Sequence, residues 1–192
     1  MGDILTAAMA YTNLLDVEYK FILGRKKKTV SLSVFFEEAQ FFHLAGLHYL
    51  TDRITLLCGD RSQLFRKIMT GAITVHQIES SSFYPEIKDR IDYLAFLEAV
   101  MDCNRTVFKY NPQLEAFSAI EADFLLKTEV EARNVFTFLS REKSSGEYIC
   151  RSFFPQSDKD YSRNQTTWTL LYKKKVQKST GREEVLFDKL RK

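Results

Sequence analysis

Apolar and polar positions alternate with two different periods along this chain, and the period changes near its middle. In residues 3–16, Ile4, Ala7, Ala8, Tyr11, Leu14 and Leu15 recur at i, i+3 and i+4, the spacing of an amphipathic helix. Glu18–Leu23 reads as a strand. Gly24-Arg25-Lys26-Lys27-Lys28 is a turn, and Thr29–Val34 alternates with Val30, Leu32 and Val34 on one face. Together they predict a hairpin with a basic tip. A helix from about Glu37 to Thr51 follows, apolar nearly all round and therefore expected between layers. Asp60 to about Met69 is a shorter helix with Asp60 as N-cap, stopped at Thr70-Gly71. Ser80–Pro85 is a loop, and Ile87–Cys103 is the longest periodic helix.

Beyond Asn104 the period falls to two. Strands are expected at Arg105–Tyr110, Asp123–Lys127, Asn134–Arg141, Glu147–Phe154, Thr166–Lys175 and Glu184–Phe187, joined by segments rich in turn residues. Helices followed by strands predict an α+β fold. N-terminal helices and a β-hairpin would pack on a C-terminal antiparallel sheet within one domain, helical over about 1–103 and sheet over about 104–190. In the strand around Trp168, Trp168, Leu170 and Tyr172 are expected on the core side. Thr167, Thr169, Lys173 and Lys175 would then share the open face.

Charge sharpens this picture. The net charge is only +3, but residues 1–140 carry 15 Lys and Arg against 18 Asp and Glu, and residues 141–192 carry 13 against 7. A basic last quarter on an acidic body suits a polyanionic partner; a solvated basic tail is the plainer explanation. No apolar run reaches the roughly 18 residues of a membrane span, and Asp3 spoils a secretory signal, so a cytoplasmic protein is expected. The N-terminal Met-Gly fits a myristoylation pattern only loosely, and the next residues read as an ordinary helix. Cys58, Cys103 and Cys150 have neither disulfide parity nor zinc spacing, and reduced, mostly buried thiols are expected. In such a compartment the sequons at Asn104 and Asn164 carry no meaning.

P-loop, dinucleotide-binding, zincin and α/β-hydrolase motifs are all missing, and no cofactor or metal is expected. Two of the three histidines lie in the apolar segment Phe41–Arg53. On a continuous helix His43 and His48 would diverge by about 140°, which argues against a shared metal, and Asp52 would pair with His48 one turn on. The residue types still suit metal-independent cleavage of RNA. That reaction needs a base for the 2′-hydroxyl, an acid for the leaving oxygen and cations for the phosphate. Histidine, tyrosine, arginine and lysine supply these. A satisfied core histidine, or an Arg151 salt-bridged across the sheet, is the bland alternative for each.

Several strings resemble those of the phage-associated Barnase–EndoU–colicin–RelE-like nucleases, of the fourth phage type. The most specific is Phe42-His43-Leu44-Ala45-Gly46-Leu47-His48, preceded by Tyr19-Lys20-Phe21 and Gly24-Arg25-Lys26. Ile120–Asp123, Phe136–Leu139, Ser152–Pro155, Asp160-Tyr161 and Trp168–Leu171 extend the likeness over about Glu18–Phe187. The resemblance implies a compact α+β fold and metal-free endoribonuclease activity, often in toxins of phages or mobile elements with an antitoxin or immunity protein. It points first to His43, then His48, and more weakly to Arg151, Tyr161 and Thr169 as catalytic. Lys173, Lys175 and Lys26 are the candidate RNA contacts. Tyr49 departs from the pattern, where a lysine is expected. A non-catalytic RNA-binding or protein-interaction domain is the alternative.

Overall fold

A computed structural model describes residues 2–103, 105–115 and 118–191; the Asn104 sequon falls outside them. Helix α1 (Ile4–Thr12) begins at Asp3, whose carboxylate accepts from the Thr6 amide. Strands β1 (Val17–Arg25) and β2 (Lys28–Phe35) form the expected hairpin. Its tip is a two-residue turn with Lys26 and Lys27 both at positive φ, the conformation that matches strand twist but usually selects Asn and Gly.

The helical layer is more broken than its periodicity suggests. α2 (Glu38–Leu44) stops seven residues short of the expected end. Short 3-10 turns at Leu47–Tyr49 and Thr51–Arg53, and a single helical turn α3 (Ile54–Leu57), complete the segment. Next come α4 (Arg61–Met69), capped by Asp60, and α5 (Val75–Glu79), opened by a Thr74–Gln77 capping box. The long helix divides into α6 (Tyr84–Leu94) and α7 (Leu97–Cys103). Tyr11 welds the layer together. Its ring lies 5.5 Å from Phe41 and 5.9 Å from Phe65, and its hydroxyl donates to the Glu37 carbonyl. Such aromatic pairs add about 0.5–1.5 kcal/mol each beyond their burial.

β3 (Thr106–Lys109), β4 (Phe124–Val130), β5 (Arg133–Arg141), β6 (Tyr148–Pro155), β7 (Thr166–Gln177) and β8 (Glu183–Asp188) complete an α+β domain. The sheet runs β1-β2-β6-β5-β4-β3-β7-β8 and closes into a barrel because β1 also pairs with β7. The hairpin is thus part of the sheet rather than a layer upon it. Pairing is antiparallel except between β2 and β6, which run parallel for only Val34↔Tyr148 and Phe35↔Ile149. After Phe35 the chain leaves for α2, and α2 and α6 pack beside the rest of β6.

One core joins the inner sheet face, including Tyr19, Phe21, Val34, Leu126 and Phe153, to the helices. A smaller cluster covers the other face of β4 and β5: Leu125, Phe136 and Phe138, with Phe154 and Tyr161 against them. Two bulges reset which side chains face inward. In β7 the register with β1 slips beside Leu171, so Leu170 and Lys173 both face the core. This corrects the expected open face at Lys173, because one extra residue inverts the alternation beyond it. In β6 the register with β5 slips at Arg151. Of the cysteines only Cys150 is buried; Cys58 and Cys103 are exposed, contrary to the expectation from sequence.

Candidate active site

The site forms where β2 abandons β6. Gly46 sets it up. Its φ of 76° is left-handed, and a Cβ there would lie 2.9 Å from Ile87 Cγ2 and 3.0 Å from Arg90 Cδ. Only glycine meets both conditions without strain. The Gly46 amide donates to the His43 carbonyl, and the Tyr49 amide donates to the Gly46 carbonyl, so the chain turns tightly and α2 cannot continue. The two histidines therefore do not diverge. Their ring centroids lie 5.1 Å apart, with the Tyr49 ring tilted against His48 at 4.1 Å.

Asp52 is not the partner of His48. Its carboxylate accepts from the Ser81 hydroxyl and from the amide and hydroxyl of Ser82. Arg53 donates to the Ser80 carbonyl and hydroxyl. These bonds fasten the turn after His48 to the start of α6, the helix that carries Arg90.

Around the histidines lies a cavity of about 170 Å³ lined by His43, His48, Tyr49, Arg90, Ala119, Ile120, Arg151 and Ser152. None of these is a carboxylate. Arg151 enters it from the β6 bulge, a device that re-aims a side chain out of the ladder. Among the described residues no carboxylate forms an ion pair with Arg151, so the cross-sheet salt bridge is not made. Arg90 reaches in from α6, its guanidinium 5.4 Å from the Tyr49 ring and 4.7 Å from the Phe154 ring. Arg61 lies over the Phe42 ring at 3.6 Å, behind the pair.

The electrostatics follow from this crowding of cations. Each imidazole keeps an exposed edge, while its walls displace enough water to penalise the charged form. Desolvation, with Arg151 and Arg61 nearby, holds His43 below its usual value. Desolvation, then His43, Arg90, Arg61 and Arg151, brings His48 down to about 4. Burial also lowers Arg90. Both rings are neutral at pH 7, in a pocket whose fixed charge is positive. Such a pocket can receive an anion and has two neutral imidazoles in its wall.

A comparison with protein families matches residues 3–190 to the family described as phage-Barnase-EndoU-ColicinE5/D-RelE like nuclease4. The chain belongs to this family of nucleases. Neither the curated proteins nor the solved structures contain a match to it. Three of the sequence candidates of this nuclease chain, His43, His48 and Arg151, meet in the pocket.

The other candidates of this nuclease chain are spread more widely. Tyr161 lines an adjoining cavity of about 450 Å³, its ring packed 5.4 Å from Phe154. Thr169 pairs with Gly24 and Thr106, near the hairpin tip, and lines neither cavity. Lys26 is exposed at that tip, about 25 Å along β2 from the strand end beside β6. Lys173 is 1% exposed and donates to the Met101 and Asp102 carbonyls at the end of α7. Lys175 donates to Glu98 and Asp102. Both lysines hold α7 to the barrel.

Among the described residues no group of three or more His, Cys, Asp and Glu is placed to hold a metal, and no helix is long and apolar enough to cross a membrane. Sequence reasoning missed Arg90, Arg61 and Ser152, and singled out Tyr49 only as a departure from the family pattern. Arg90 did leave a trace: it stands three residues after Ile87 and one before Ile91, on the flank of the apolar stripe of α6.

Proposed function

We propose that this member of the nuclease family is a metal-independent endoribonuclease that cleaves by attack of the 2′-hydroxyl. The observation that carries the reading is the pair of neutral imidazoles, 5.1 Å apart, in a pocket with two arginines and no carboxylate. The scissile phosphate occupies that pocket, its non-bridging oxygens on Arg151 and Arg90. His48, held more firmly neutral, takes the proton of the 2′-hydroxyl as its oxygen attacks phosphorus. The bond from phosphorus to the 5′-oxygen breaks, and His43 delivers a proton to that oxygen. The products are a 2′,3′-cyclic phosphate and a free 5′-hydroxyl.

The phosphate charge itself prepares the acid. An anion among Arg61, Arg90 and Arg151 offsets the cations that depress His43, so its pKa rises when substrate binds. Tyr161 and the lysine tip at Lys26 make secondary contacts to RNA. A toxin of a phage or mobile element acting in the cytoplasm, restrained by an antitoxin or immunity protein, fits this activity.

The test is cleavage of RNA in EDTA by the wild type, His43→Ala and His48→Ala. Cleavage that persists in EDTA, leaves cyclic-phosphate ends and falls at least about 100-fold in each variant is expected. Binding of RNA without cleavage by the wild type would refute the proposal.

A further inference from the structure

The histidine pocket does not stand alone. Tyr49, Arg90, Ile120 and Ser152 line both it and the adjoining cavity of about 450 Å³. The smaller space suits a phosphate group. The larger lies within the roughly 300–1,000 Å³ of small-ligand sites. Its lining mixes charged groups, Glu86, Asp89, Arg90 and Arg133, with the rings of Tyr49, Phe154 and Tyr161. The Arg90 guanidinium lies over two of them, facing Tyr49 and Phe154. In its wall Arg133 is tied to Asp89 at 2.8 Å, presenting donor and acceptor groups together.

Flat aromatic faces, a stacked guanidinium and paired polar groups, one wall away from a phosphate pocket, match the parts of a nucleotide in their order. We infer that the larger cavity is a nucleoside subsite, which seats the base next to the scissile phosphate with Tyr49 as its stacking platform. This rests on the nuclease reading of the histidine pocket. Tyr49 suits the role because it is 41% exposed although large and aromatic, and because His48 supports its ring from behind at 4.1 Å. Tyr49 is then a binding and positioning residue, and Arg90 couples the base to the phosphate.

Calorimetric titration separates this inference from the activity on which it rests. The probes are nucleoside 3′- and 5′-monophosphates and inorganic phosphate. The wild type should bind one of the two nucleotide classes about tenfold more tightly than phosphate, and Tyr49→Ala should remove about tenfold in nucleotide affinity alone. Tyr49→Phe should keep it. Equal affinity of the wild type for nucleotides and phosphate overturns the subsite, as does a Tyr49→Ala variant that loses both equally or neither. RNA cleavage by the wild type is read separately. An enzyme that cuts RNA but binds nucleotides no better than phosphate keeps its activity and loses the subsite. A protein that discriminates nucleotides but cuts no RNA keeps the subsite and loses the nuclease reading.

Discussion

The closeness of the two histidines makes a quantitative demand on their titration. His43 is one of the causes that hold His48 at about 4, because it is already charged when His48 accepts a proton. Replacing it by His43→Asn removes that repulsion and leaves the walls of the pocket in place. At the observed 5.1 Å between centroids, two unit charges repel by about 0.8 kcal/mol in water-like surroundings and about 3 kcal/mol at an effective dielectric constant of about 20. At 1.36 kcal/mol per pH unit that is about 0.6 to 2.4 pH units; because desolvation is the larger part of the fall from 6.5 to about 4, the His48 midpoint should rise by about 0.6 to 1.2 units. It should stay below 6.5, because desolvation is the largest cause and is untouched. The assay is the imidazole Cε1 proton resonance followed by NMR from pH 3 to 8, with single histidine variants giving the assignments. A His48 midpoint that does not move would mean that the rings are not neighbours in solution. A jump to the full 6.5 would mean that charge, not burial, sets the value.

Gly46→Ala should cost about 2 to 4 kcal/mol in urea unfolding, since the left-handed backbone penalises a Cβ and Ile87 and Arg90 leave it no room; cleavage should fall further than stability alone predicts, because His48 shifts against His43. Lys173→Met should lose about 2 to 4 kcal/mol, as two carbonyls at the end of α7 forfeit a charged donor, while the salt dependence of RNA binding stays that of the wild type. Both histidines have folded values below 6.5, so the unfolded chain binds more protons between about 6.5 and 4 and stability must fall with pH across that window. The melting temperature should drop more steeply there in the wild type than in the His43→Asn/His48→Asn double variant; parallel profiles would contradict the depressed values.

The parts of this molecule legible in its sequence are those fixed by neighbours along the chain. The hairpin β1–β2, the cap at Asp60 and the alternation in β4 and β5 arise from local geometry. Closure of the barrel is of another kind. It joins Val17–Gly24 to Thr169–Gln177, and no periodicity carries information across such a separation. The candidate site was half legible for the same reason. Residue types together with the family resemblance pointed to His43, His48 and Arg151, but their meeting depends on three departures from regular structure. Gly46 breaks a run that is otherwise apolar and helical. Arg151 is the extra residue of a bulge, and Arg90 sits at the margin of an apolar stripe. Each departure costs stability locally: a helix shortened, a ladder interrupted, a cation partly desolvated. Elsewhere in the chain the local rules and the fold mostly agree, and the bulge at Leu171 is repaired by giving Lys173 two carbonyls to hold. At the histidine pocket nothing of that kind is supplied. Among the described residues no carboxylate answers Arg151, and no hydrogen bond within the protein satisfies either imidazole ring. Costs concentrated in one cleft and left without an internal partner are the expected signature of groups kept for a ligand, and the positive fixed charge there favours an anion.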